Sequence, residues 1–209
     1  PFRWSGWRRS LARAEMRHGN ADLAYELASQ HFLTEGSSFA DLEWLSGYLQ
    51  LTYLDDPAAA LVHFDAARAA VETPISVGRM EYWRGRALEA QDDPAAADAY
   101  ALGAEHQTGF YGLLASEKVG RPLNPALTGA NDPVDWDTAG LLDNDLIRAG
   151  ITLLEAGQNA RAVPFFVEMG KTLPADDLAR LGWWRRAEDE AYYAVLLGKT
   201  AVRPRFVMS

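Results

Sequence analysis

Asp55-Asp56-Pro57-Ala58-Ala59-Ala60 returns unchanged as Asp92-Asp93-Pro94-Ala95-Ala96-Ala97, 37 residues further on. Each copy follows an apolar stretch with an aromatic and a glycine, Trp44-Leu45-Ser46-Gly47-Tyr48 before the first and Tyr82-Trp83-Arg84-Gly85-Arg86 before the second. Each leads into an alanine-rich stretch with one aromatic, Phe64 or Tyr100. Proline disfavours helical geometry in the residue before it and fits the first turn of a new helix, where an aspartate caps the free N–H groups. The phrase therefore ends one helix and starts the next, and the chain states this unit twice.

A single hairpin of alanine-rich helices cannot bury its apolar face, so neighbouring hairpins must stack. A period in the thirties with this grammar predicts an all-α fold, an α-superhelix or solenoid of tetratricopeptide-like hairpins, whose usual repeat is about 34 residues. Arg17-His18-Gly19-Asn20 is a third turn of the same kind, with Asn20 standing 37 residues before Pro57, and Gly157-Gln158-Asn159 is a variant. Helical spacing is expected over 4–18, with Trp4, Trp7, Leu11 and Ala14 on one side, and over 22–31. Further helices are expected over 39–54 (capped by Ser37 or Ser38), 58–71, 76–90 (Met80, Trp83, Ala87 and Leu88 inward) and 95–105, then a short one ending at Gly120. Residues 121–137, rich in Pro, Gly and Asn and without periodicity, read as a connector. Helices resume over 138–156, 160–169, 176–190 and 191–197, with Pro164 in the first turns of its helix or kinking it. The chain thus divides into repeats over 1–120, a connector over 121–137 and further hairpins over 138–209. No stretch has the alternation of a strand.

Composition narrows the function. With 209 residues and 48% hydrophobic side chains, the chain has a core to bury. The absence of cysteine removes disulfides, thiolate zinc sites and cysteine nucleophiles. A net charge of −9 argues against a nucleic-acid partner. The arginines of residues 3–17 read as the exposed face of an amphipathic helix. No apolar run reaches the roughly 20 residues that span a bilayer, so no transmembrane segment is expected. The chain opens at Pro1 without a secretory leader pattern, as a processed form or fragment would.

Candidate chemistry is sparse. His18, His31, His63 and His106 lie far apart with no ligand spacing, so no metal site and no cofactor is expected. The acid pairs Asp55-Asp56, Asp92-Asp93 and Asp176-Asp177 lack the glycine and glutamate of a calcium loop and read as caps. Glu117 reads as a solvated residue pairing with Lys118 or Arg121. Trp44, Tyr48, Tyr82, Trp83 and Tyr100 are expected to fill hairpin interiors, and Phe110 and Tyr111 to pack on the adjoining hairpin. In Trp183-Trp184 and Tyr192-Tyr193 both members cannot share one helix face, so one of each pair is expected to be exposed or to meet a partner.

Thr73-Pro74-Ile75-Ser76, then Tyr82-Trp83-Arg84-Gly85-Arg86-Ala87-Leu88-Glu89-Ala90, then Thr108-Gly109-Phe110-Tyr111-Gly112-Leu113-Leu114-Ala115 resembles the helical ring-forming region of the soluble lytic murein transglycosylases. Asp41-Leu42-Glu43-Trp44-Leu45-Ser46-Gly47 fits the same pattern. The resemblance is densest over 43–120. It implies a periplasmic protein whose superhelix positions peptidoglycan glycan strands, and a separate lysozyme-like domain that cleaves them to a 1,6-anhydro product. That domain is marked by Glu followed by Ser and by Gly-Leu-Met-Gln. Neither occurs here, so no catalytic residue is carried over and the chain is expected to be inactive alone. The partners implied are a glycan strand or a downstream lysozyme-like domain; no glycan-contacting residue can be assigned. The alternative is a tetratricopeptide-like scaffold recruited by other proteins into a larger assembly.

Overall fold

The structure, a computed structural model, describes residues 2–127, 140–187 and 191–201. The described residues form eleven α-helices and short 3-10 turns, with no strand among them. They fall into two compact units, Pro1–Thr128 and Gly129–Ser209, each treated by itself below.

The first unit contains α1 (Phe2–Arg17), α2 (Ala21–Ser29), α3 (Gly36–Thr52), α4 (Pro57–Ala69), α5 (Pro74–Glu89), α6 (Ala95–Gly103) and α7 (Phe110–Lys118). Helices α1 and α2, α3 and α4, and α5 and α6 pack as pairs across short turns. Helix α2 lies against α3, α4 against α5, and α7 against both α5 and α6.

The turns share one backbone device. Gly19 and Asp92 adopt left-handed geometry (φ 84° and 54°). The N–H of the following residue then reaches back five positions, Asn20 N to Glu15 O at 2.9 Å and Asp93 N to Leu88 O at 3.0 Å. This is a Schellman ending, which satisfies carbonyls the helix leaves free. Gly157 (φ 70°) repeats it in the second unit, with Gln158 N to Leu153 O at 2.8 Å. Asp55 (φ 56°) heads a turn one residue longer, in which Asp56 N reaches Gln50 O at 2.9 Å.

The acid pairs at these turns are therefore not both caps. Asp55 and Asp92 take the left-handed position; Asp56 and Asp93 cap, accepting from Ala59 N and Ala95 N at 2.9 Å each. Because an L-residue is disfavoured in that conformation, Asp92→Gly should stabilise the chain by about 0.5 kcal/mol. Urea unfolding measures it, and an unchanged or lower midpoint would contradict the assignment.

The crossings depend on missing side chains. A Cβ on Gly47 would lie 2.7 Å from the Phe64 ring, and one on Gly85 2.6 Å from the Tyr100 ring. In the first pair Ala12, Ala24 and Ala28, all 0% exposed, make the equivalent contact. Phe64 is also fully buried, and its ring lies 5.9 Å from that of Trp83, which joins the second and third pairs.

Several boundaries differ from the expected ones. Helix α3 begins at Gly36 with Glu35 at the cap position and no side-chain cap, so neither Ser37 nor Ser38 serves; Ser38 instead accepts from the Ser5 hydroxyl at 3.2 Å. Pro74 occupies the first turn of α5, two residues before the expected start. Helix α2 ends at Ser29, leaving His31 in the segment beyond it.

The second unit has a 3-10 turn, Leu141–Asp143, and helices α8 (Asp145–Glu155), α9 (Asn159–Thr172), α10 (Ala175–Ala187) and α11 (Ala191–Ala201). The helix expected from 138 starts instead at Asp145, because the Asn144 side chain caps it, accepting from Leu146 N and Ile147 N. Pro164 sits inside α9. Ile147, Phe166, Met169, Leu181 and Leu197 are buried together, and Gly150 admits the Met169 methyl. Tyr193 is buried and donates to Asn159 O at 3.1 Å, whereas Tyr192 is 61% exposed. Trp183 is 40% exposed; the Trp184 side chain lies outside the described residues, as do positions 128–139 of the connector.

Candidate functional site

Two constellations in the first unit place polar or aromatic groups where more than packing is served. The first is a band of rings on α3, α5 and α7. The Arg79 guanidinium lies 5.1 Å from the Trp44 ring, and Trp44 stacks on Tyr48 at 5.5 Å with planes 20° apart. Tyr48 meets Trp83 edge-on at 5.1 Å, and Trp83 in turn lies 6.2 Å from Tyr111. The Arg86 guanidinium lies over the Trp83 ring at 5.8 Å.

Trp83 and Tyr82 are buried, as expected for interior residues, but Trp44, Tyr48 and Tyr111 are only half-buried, and Tyr53 on the edge of Tyr48 is 45% exposed. Burial, with Tyr53 and Tyr111 nearby, pushes the Tyr48 hydroxyl above its ordinary pKa, so it stays protonated as a donor. The indole N–H groups of Trp44 and Trp83 are buried without an acceptor. Arg79 also donates to Asp41 at 2.9 Å, and Asp41 accepts from Arg9 of α1 at 2.7 Å. The band thus has charged groups at its edge and π faces in its middle. It offers no nucleophile with an adjacent base, and it can bind by stacking and by donated hydrogen bonds.

The second constellation brings together two histidines that are 32 positions apart in the chain. Glu43 of α3 accepts from His31 Nε2 at 2.8 Å through one oxygen and from His63 Nδ1 at 2.6 Å through the other. Leu33 N donates to His31 Nδ1 at 2.9 Å, which places the ring proton on Nε2. His63 Nε2 meets the Tyr25 hydroxyl at 3.0 Å. Histidines without ligand spacing in the sequence are thus joined through an acid between them, which ties α2, the segment after it, α3 and α4. The signal lay in the repeat, since Glu43 stands four residues before Gly47 as Glu81 stands four before Gly85.

Burial raises the pKa of Glu43, but hydrogen bonds from His63 and His31 outweigh it and leave the carboxyl below its ordinary 4.5. A depressed carboxylate contributes stability above its unfolded pKa and loses that contribution as pH falls through the folded one. Glu43→Gln should therefore cost about 1–2 kcal/mol at pH 7 and less as the pH drops below 4.5. Urea midpoints of parent and variant across that range check it; a constant difference would remove the charge from the account.

Glu81, at the matching position in α5, is 2% exposed and accepts from Arg68 at 2.6 Å and Arg84 at 2.7 Å. Glu89 accepts from Lys118 and Tyr100 at 2.8 Å each. Lys118 is thus bound to Glu89 rather than to Glu117, which is exposed. Of the family-like residues, Thr73 Oγ1 donates to Ser76 at 2.9 Å, Pro74 opens α5, and Ile75 is 60% exposed. Gly85 and Gly112 sit at close crossings, Trp83 and Tyr111 belong to the band, and Phe110, 68% exposed, rests only its edge on Tyr111. No family model, curated protein or solved structure matches the chain. Among the described residues no helix is long and apolar enough to cross a membrane.

Proposed function

We propose that this chain is the non-catalytic superhelical part of a periplasmic lytic transglycosylase, a solenoid of tetratricopeptide-like hairpins that holds a peptidoglycan glycan strand for a lysozyme-like domain. The observation that carries the reading is the band Trp44–Tyr48–Trp83–Tyr111, in which the half-buried rings of Trp44, Tyr48 and Tyr111 gather around the buried Trp83 across α3, α5 and α7. The apolar face of a pyranose stacks on such rings, and its hydroxyls accept from groups such as Arg79 and Arg86 at the edge. The repeated turns and the matching glycine crossings support the solenoid. The chain positions substrate and does no bond cleavage itself.

Titrating the chain with soluble N-acetylglucosamine oligomers, followed by intrinsic tryptophan fluorescence, tests the site. The expected result is saturable quenching that Tyr48→Ala weakens roughly tenfold, as loss of one stacking face implies. Binding indifferent to Tyr48 would move the site elsewhere. A protein-interaction scaffold is the second reading, favoured by the Arg9–Asp41–Arg79 bridge beside the rings, which suits an extended peptide as well as a sugar.

A further inference from the structure

The repeat permits a position-by-position comparison of α1, α3 and α5. In α3 the residues eight, five and four places before Gly47 are Phe39, Leu42 and Glu43; in α5 the same places before Gly85 hold Val77, Met80 and Glu81. These rows are covered by the preceding pair. The His31 ring rests on Phe39 at 5.5 Å and bonds Glu43, Arg68 of α4 bonds Glu81, and Leu42 and Met80 are 1% and 0% exposed.

In α1 the crossing residue is Ala12, and the same places hold Trp4, Trp7 and Arg8. Trp4 and Trp7 are each 67% exposed. With Leu11, Leu27 and Phe32 they line an open groove of about 560 Å³, with Arg8 beside it. Arg8 reaches the Leu27 carbonyl at 3.2 Å and the Phe32 ring, and pairs with no carboxylate among the described residues.

We propose that this groove seats the second helix of a further helical pair, standing to α1 as α2 stands to α3 and α4 to α5. That helix carries a carboxylate in or just past its last turn, facing Arg8. The charge follows from the pattern: Glu43 and Glu81 each meet a base supplied from the end of the covering helix, His31 just past α2 and Arg68 in the last turn of α4. At Arg8 the sign is reversed, so the covering group is an acid. A second copy of α1 is the wrong occupant, because α1 holds five arginines against one glutamate and two such faces repel. The inference does not rest on glycan binding.

The test appends a copy of residues 36–73 ahead of Pro1 of the full chain, which keeps the spacing between α4 and α5, with the copy carrying Arg68→Glu. The expected result is added helix by circular dichroism, a blue shift of tryptophan emission, and loss of Trp4 and Trp7 reactivity toward N-bromosuccinimide. The melting temperature should rise by about 5 °C, and by less when the copy keeps its arginine. An extension that gains no helix, or that folds and leaves both indoles reactive, overturns the proposal. In the unextended chain, Trp4→Gln with Trp7→Gln should leave helicity and melting unchanged; unfolding there would make the face part of the core and overturn it too. Sedimentation of the unextended chain should show a monomer, and a dimer that Trp7→Glu disperses would give the groove to a second copy instead.

Discussion

Gly112→Ala should destabilise the chain by about 4 kcal/mol or more, the range reserved for backbone collision in a closed core. A Cβ at position 112 would overlap the carbonyl of His106, which belongs to the backbone and already accepts from Gly109 N at 3.0 Å. The surroundings have no slack: a Cβ on Gly78 would lie 3.2 Å from the His106 side chain, and one on Gly103 3.0 Å from that of Ala115. Three glycines therefore let α5, α6 and α7 close on one another, and any added methyl must push helices apart. Gly6→Ala is the internal control. Nothing lies within 4 Å of a Cβ there, and alanine's helix propensity should raise stability by roughly 0.5–1 kcal/mol. Urea unfolding of the two variants gives opposite signs; a mild cost at Gly112 would refute the packing of α7.

Glu81→Ala is expected to cost about 3 kcal/mol. The carboxylate is nearly sealed from water and serves two arginines at once, and removing it takes the charge partner from Arg68 and one of two from Arg84. Some of that loss is returned by solvent, since the Arg68 side chain is 37% exposed and Arg84 keeps Asp65 at 2.5 Å. Glu81→Gln keeps the shape and should cost roughly half as much. Equal effects of the two variants would mean that packing, not charge, is what Glu81 supplies. Because Arg68 also donates to Val71 O at 3.4 Å, the loss is felt at the end of α4 and should lower hydrogen-exchange protection there.

The helical class and the pairing of helices were legible because their signals are local. Proline at a first turn, an aspartate before it and a glycine at a crossing each act within a few residues, and their repetition exposed the period. The left-handed role of Asp55 and Asp92 was hidden, since an aspartate before a capping aspartate looks like a second cap. Trp44 and Tyr48 were assigned to hairpin interiors, yet they stand half-open; burial on a shared face between pairs depends on how neighbouring helices lie, which helical spacing does not state. The His31–Glu43–His63 bridge was missed for a related reason. Residues far apart in sequence meet only when consecutive pairs stack, and single histidines carry no spacing to betray it. The open apolar face of α1 was visible as a stripe, but the proposal of a covering helix needed comparison with the covered rows of α3 and α5.

The most direct test of the functional account is to incubate the chain with purified peptidoglycan sacculi, sediment them, and analyse both pellet and supernatant. The account predicts that the chain is found in the pellet, that Tyr48→Ala shifts it to the supernatant, and that no anhydro-muropeptides are released. Release of anhydro-muropeptides, or a chain that stays wholly in the supernatant, would contradict it.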